Sequence, residues 1–188
     1  MGKLKIIAIV GSLRSNSFHR QLAIEAGRLL GDSAELELLD FSDVPLLNPD
    51  FEYPAPDAVK RVRDIVKSAN GIWFFSPEYN HFFSGALKNL IDWLSRPISE
   101  SKPQVLRNKP AAVSGLSPGM SGSVVAQDHL VSLISVLNMK VMNQPRVAIP
   151  NVMQQIDTNG RLSLNPISFN FLETQAKAFV TFIQNNLK

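Results

Sequence analysis

The chain has 188 residues, with 19 Lys and Arg, 16 Asp and Glu, 3 His, no Cys and 45% hydrophobic residues. This length suits a single domain spanning 1–188, and the apolar content excludes a disordered chain. The lack of cysteine excludes thiol nucleophiles, disulfides and thiolate metal sites. The net charge of +3 is scattered, so neither a nucleic-acid arm nor a polybasic membrane patch is expected.

Leu4 to Val10 is short, β-branched and closed by Gly11, which predicts a buried strand. From Ser17 the period changes, and Leu22, Ala26, Leu29 and Leu30 form the stripe of a helix stopped by Gly31. Ala34 to Leu39 alternates as a second strand, and Asp40 to Pro56, rich in Pro, Asp and Asn, reads as a loop. Val59, Val62 and Val66 mark a second helix, and Ile72 to Phe75 a strand apolar on both faces. Leu87, Leu90, Ile91 and Leu94 give a third helix, stopped before Pro97, with Pro97 to Pro110 a surface loop. Ala111 to Val113 is a short fourth strand, Leu130, Ile134 and Leu137 a fourth helix, and Val147 to Ile149 a fifth strand. Leu172, Ala176, Phe179, Ile183 and Leu187 form the closing helix. Five strands alternating with five helices predict an α/β three-layer sandwich whose parallel sheet has the order 2-1-3-4-5. No apolar run reaches the roughly 18 residues of a membrane span, and Met1 to Lys5 lacks the features of a leader. A cytoplasmic protein is expected.

In such a sheet, ligands bind beyond the carboxyl ends of the strands. Gly11-Ser12-Leu13-Arg14-Ser15-Asn16-Ser17 leads straight into a helix, whose start attracts anions. The Ser12 and Ser17 hydroxyls and the forked donors of Arg14 suit a phosphate. The alternative is a polar turn with Ser17 as helix cap. The segment is neither a Walker loop nor a dinucleotide fingerprint. Ser76-Pro77-Glu78-Tyr79-Asn80-His81 follows an apolar strand and offers backbone polar groups beside an aromatic ring, suited to a planar heterocycle or forming a plain turn. Gly85-Ala86-Leu87-Lys88-Asn89 comes next. Ser114 to Ser123, with three glycines and four serines, reads as a polar loop able to cover a ligand. The three histidines are isolated, so no metal site is expected.

Together these segments resemble the NADPH-dependent FMN reductase family, and its chromate/quinone reductase-like branch in particular. Gly11 to Ser17 is similar to that family's Gly-Ser-x-Arg-x-x-Ser loop. Pro77-Glu78-Tyr79-Asn80, followed by Gly85, Leu87-Lys88-Asn89 and Asp92-Trp93, is similar to its second signature, and Ser117-Pro118-Gly119-Met120 to its third loop. Gly122-Ser123 stands where the family often has a Gly pair. The resemblance implies a flavodoxin-like fold with non-covalent FMN. Ser12, Arg14, Asn16 and Ser17 would surround the phosphate, with Phe18 also binding the cofactor, Pro77, Glu78, Tyr79 and Asn80 would line the isoalloxazine, and Ser114 and Gly115 would lie on its other edge. It also implies hydride transfer from NADPH or NADH through FMN to a quinone or similar small molecule, by a homodimer or homotetramer. A flavodoxin-type electron carrier and a flavin-free regulatory domain remain the competing readings. The positive net charge argues against the carrier, which ordinarily shows an acidic docking surface. The stretch beyond Pro150 carries no motif.

Overall fold

The uninterrupted run Leu-Lys-Ile-Ile-Ala-Ile-Val forms β1 (Leu4–Val10), an interior strand with a neighbour on either side. Residues 3–99 and 102–187 are described in this computed structural model. Met1 and Gly2 of the expected leaderless start, Glu100 and Ser101 of the Pro97–Pro110 loop, and Lys188 lie outside the described residues.

The chain continues through α1 (Phe18–Leu30), β2 (Ala34–Leu38), α2 (Asp57–Ser68), β3 (Gly71–Phe75), α3 (Gly85–Ser95) and β4 (Pro110–Leu116). It then forms α4 (Val124–Val136), β5 (Lys140–Val141), β6 (Val147–Ile149) and α5 (Pro166–Asn186). All strand pairs are parallel, in the order β2-β1-β3-β4-β5, with β6 also paired to β4. The expected 2-1-3-4-5 sheet is therefore present.

Alternation along the strands builds two cores. Ile7 and Ile9 of β1, with Ile72 and Phe74 of β3, pack against Val62, Val66, Leu87, Leu90 and Leu130 of α2, α3 and α4. Ile6, Ala8 and Val10, with Trp73 and Phe75, pack on the opposite side against Leu22, Ala26, Leu172, Ala176 and Phe179 of α1 and α5. Because both faces are covered, the packed positions of β1, β3 and β4 are apolar, apart from Ser114 and Gly115 of β4. This is why they read as continuous runs and not as an alternating pattern.

The fifth lane differs from the single strand expected at Val147–Ile149. It is split: Lys140 and Val141 pair with Pro110 and Ala111, and Val147 to Ile149 pair with Ser114 to Leu116. Between the two segments the chain leaves the ladder, and α5 supplies the missing partners. Gln175 Nε2 donates to Val113 O and to Pro145 O, both at 3.0 Å. Its Oε1 accepts from Ser114 Oγ, which in turn accepts from Trp73 Nε1 at 2.8 Å. Every polar group in this buried chain has a partner, so one glutamine closes the break in the sheet.

Replacing Gln175 with Leu should strand the Val113 and Pro145 carbonyls and the Ser114 hydroxyl. We expect a loss of about 3 kcal/mol, the sum of two or so unsatisfied buried groups, read as a lower urea midpoint at unchanged slope.

Candidate functional site

Three chain reversals leave the carboxyl edge of the sheet side by side. The first begins at Gly11, whose N–H donates to Phe75 O at 2.8 Å and so aligns the ends of β1 and β3. A Cβ on Gly11 would lie 2.9 Å from Pro77 Cδ, so the absent side chain is what lets the first two loops touch. Beyond it, the backbone N–H groups of Ser12 to Asn16, and those of Phe18 and His19 in the first turn of α1, find no acceptor among the described residues. Ser17 caps the helix, its Oγ accepting from Arg20 N at 3.4 Å, while its own proton stays free to donate. Arg14 is exposed and makes no hydrogen bond or ion pair among the described residues. Free N–H donors, hydroxyls and an unpaired guanidinium around a helix start make an anion cradle.

The second loop closes as a tight two-residue reversal. Tyr79 and Phe82 exchange backbone bonds of 2.8 and 3.0 Å, and Asn80 and His81 between them hold φ of +52° and +61°, the left-handed pair of a type I′ turn. The turn directs Tyr79 outward, where it is half exposed. The Glu78 side chain is not an exposed loop carboxylate. It is only 9% exposed and reaches the third loop, where Oε1 accepts from Ser121 Oγ at 3.0 Å and Oε2 from Ala126 N at 3.1 Å.

The third loop runs from Ser117 to Ser123. Ser114 and Gly115 belong to β4 and not to this loop. A Cβ on Gly115 would fall 1.8 Å from Ser123 Oγ, so the glycine leaves room for that serine. Ser123 stands in the left-handed region at φ +69°, with its hydroxyl accepting from Gln127 Nε2 at 3.3 Å. The departure from a Gly pair is thus absorbed by a buried hydroxyl packed over Gly115. The stretch after β6 completes the arrangement: Val152 N donates to Ser117 O and Asn151 N to Gly119 O.

These segments enclose a cleft of about 390 Å³. Of the residues singled out in the sequence, Ser12, Arg14, Ser17, Phe18, Pro77, Glu78 and Tyr79 line it. Asn16 does not; its Oδ1 accepts from Gln21 Nε2 at 3.0 Å in a neighbouring groove. Asn80 is an exposed turn residue outside the cleft. Ser114 and Gly115 are set back within the strand, Ser114 engaged with Trp73 and Gln175, and the wall expected of them is made by Leu116, Ser117 and Pro118. A larger hollow of about 570 Å³ lies between α1 and Arg161–Leu164, but its Arg28 is already ion-paired to Glu25 and it lacks a converging set of loops.

Sequence reasoning missed His19, Val152 and Met153. His19 lines the cleft from beneath, and Leu116 N donates to its Nε2 at 3.4 Å. Burial pushes its pKa down from 6.5 to about 4, against the raising effect of backbone contacts with Leu116 and Ser76. The ring is therefore a neutral strut joining α1 to the ends of β3 and β4. Its signal in the sequence was its place next to the Ser17 cap. Val152 and Met153 carried none, because only tertiary folding brings them to the cleft.

The chain matches the NADPH-dependent FMN reductase family over residues 4–154. A 2-hydroxy-1,4-benzoquinone reductase from a Burkholderia species is 36% identical over 159 residues, covering 85% of this chain and 85% of that protein. An NAD(P)H-dependent FMN reductase of Pseudomonas aeruginosa is 39% identical over 160 residues, covering 85% and 84%. Among solved structures, the flavoenzyme NAD(P)H:(acceptor) oxidoreductase of Paracoccus denitrificans superposes with a TM-score of 0.87 at 30% identity, covering 97% of this chain and 98% of that one.

The lowered pKa of His19 has a measurable consequence. The unfolded chain takes up this proton near pH 6.5, whereas the folded chain resists it until about pH 4. The associated stability is complete above pH 6.5 and is lost as the pH falls towards 4, on the order of 3 kcal/mol in all. Urea titrations at pH 7.5 and 4.5 should show this acid-linked loss shrinking in His19→Gln, whose amide can take the same backbone contacts without titrating.

Proposed function

We propose, starting from a chain that belongs to the NADPH-dependent FMN reductase family, that this protein is an NAD(P)H-dependent flavoenzyme reducing quinones and related small molecules. The observation that carries this reading is the row of free N–H groups from Ser12 to His19 beside the unpaired Arg14, opening onto a largely apolar cleft. A mononucleotide flavin has the complementary form, a phosphate dianion joined to a flat apolar ring system.

The residues present fit FMN. The Ser12 and Ser17 hydroxyls, the loop N–H groups and Arg14 would hold the phosphate, with Arg14 contributing a charge-assisted bond. Pro77, Tyr79, Leu116 and Pro118 would bracket the ring, and Phe18, Val152 and Met153 would exclude water from its surroundings. The backbone of Glu78, which follows a proline and precedes a tight turn, would present fixed polar groups to the ring edge. Bound there, FMN would supply hydride acceptance and donation, the protein contributing orientation and a preformed polar frame. His19 keeps that frame neutral at its base, so Arg14 is the one cationic side chain lining the cleft among the described residues.

The mouth of the cleft remains open between Tyr79 and Met153, both more than half exposed, which leaves a face on which a nicotinamide and then an acceptor ring could stack in turn. The Burkholderia relative is a 2-hydroxy-1,4-benzoquinone reductase, which supports a quinone as acceptor. We further infer a homodimer or homotetramer, since Tyr79, Phe82, Val124 and Val125 leave apolar surface exposed around this mouth. A cytoplasmic setting, where reduced nicotinamide is made, suits the reaction, and no described helix is long and apolar enough to cross a membrane.

Purified protein should be yellow, or become so with FMN, and should oxidise NADPH when a benzoquinone is supplied. A colourless protein indifferent to FMN overturns the reading, and a yellow one that leaves NADPH untouched makes it a carrier. Arg14→Ala should weaken FMN by about 1–3 kcal/mol, the range for a hydrogen bond to a charged group, measured by quenching of flavin fluorescence. An unchanged dissociation constant would remove Arg14 from the site.

A further inference from the structure

Glu78 is a buried carboxylate that no step of the reading above uses. Its side chain crosses from the second loop to the third and accepts from Ser121 Oγ at 3.0 Å and from Ala126 N at 3.1 Å. Ala126 is the third residue of α4, and the helix's own capping residue, Ser123, makes no side-chain cap bond. The cap is therefore supplied in trans, by a charged group from another element. A helix start carries about half a positive charge, so a full carboxylate there more than cancels it and leaves the locality negative. The same residue lines the cleft, next to Pro77 and Tyr79.

We propose that Glu78 is a positioning residue that occupies the positive end of α4 and thereby limits how strongly the cleft favours reduced over oxidised flavin. The inference rests on FMN occupying that cleft. A flavin held there would gain one negative charge on accepting a hydride from reduced nicotinamide, which would leave as its oxidised cation. Without that carboxylate, the helix start behind Glu78 would stabilise the added charge and hold the electrons. With Glu78 on the helix, the wall gives no such reward, and transfer onward to an acceptor stays downhill. Arg14 also lines the cleft, and His81 Nδ1 lies 3.6 Å from Glu78 Oε1 on the exposed side of the turn.

The test is the midpoint potential of the FMN-loaded protein at pH 8, with dissociation constants for oxidised and reduced FMN. Glu78→Gln keeps the size and one acceptor of the side chain but removes its charge. It should bind oxidised FMN within about threefold of the parent and reduced FMN about tenfold more tightly, raising the midpoint by about 30 mV for a two-electron couple. Ser121→Ala withdraws a donor from the carboxylate and should move the midpoint the other way, so the proposal stays falsifiable if Glu78→Gln does not fold. An unchanged or lowered midpoint in Glu78→Gln overturns the proposal. So does an unchanged or raised midpoint in Ser121→Ala, or a loss of oxidised-FMN affinity in both variants with no change in potential, which would make the carboxylate a strut only. A parent protein that binds no FMN overturns the functional reading instead.

Discussion

β1, β3 and β4 are covered on both faces, so their backbone groups must be paired along the whole strand and the chain can become irregular only where the strands stop. Because the strands run parallel, their carboxyl ends stop at one edge, and three loops are obliged to leave it together. The site arises from that obligation. What lets the loops come close enough to wall one cleft is a pair of missing side chains: Gly11, where a Cβ would press on Pro77, and Gly115, where one would collide with Ser123. Everything placed around the cleft, from the free N–H row to the outward Tyr79, depends on those two close approaches.

Polar groups at this edge are handled in two opposite ways. Behind the cleft every buried group is matched: Trp73, Ser114, Gln175 and two carbonyls form a closed chain, and His19 is held neutral by its burial. At the cleft itself the groups are left unmatched among the described residues, seven backbone donors and Arg14 included. Unsatisfied donors are tolerated because the loop is exposed to water, and the same exposure makes them available to a ligand. The contrast between a saturated support and an unsaturated rim is what distinguishes this edge from an ordinary set of surface turns.

The sheet order and the two core layers were legible because fully buried strands and amphipathic helices leave strong periodic signals, as at Ile6–Val10 and at Val59, Val62 and Val66. The first two loops were legible because Arg14, Ser17 and Pro77 to Tyr79 carry their chemistry in contiguous residues. Other features were hidden for physical reasons. Ser114 and Gly115 resemble loop residues in composition, yet burial and pairing to β6 draw them into a strand, so local propensity gave way to tertiary context. The split fifth lane was invisible because Lys140–Val141 is too short to show a period, and its repair depends on a glutamine dozens of residues away. The burial of Glu78 depends on Ser121 and Ala126, more than 40 residues on. Val152 and Met153 join the cleft only through backbone bonds between their segment and the third loop.

The two ends of the cleft differ in how much they can discriminate. The end at α1 offers directional donors fixed by helix geometry, and such a set strongly rejects a ligand that lacks the matching acceptors, because each buried or half-buried polar group left unpaired is costly. The open end offers Tyr79 and Met153. An aromatic face and a flexible thioether adapt to many flat partners and reward none in particular. On the proposed reading, a site built this way would hold one mononucleotide tightly while admitting a series of ring-shaped reactants loosely. Tight retention at one end and permissive exchange at the other is the division that a resident redox cofactor with changing partners requires. The fold supplies it by bringing the helix start and the adaptable side chains into one cleft.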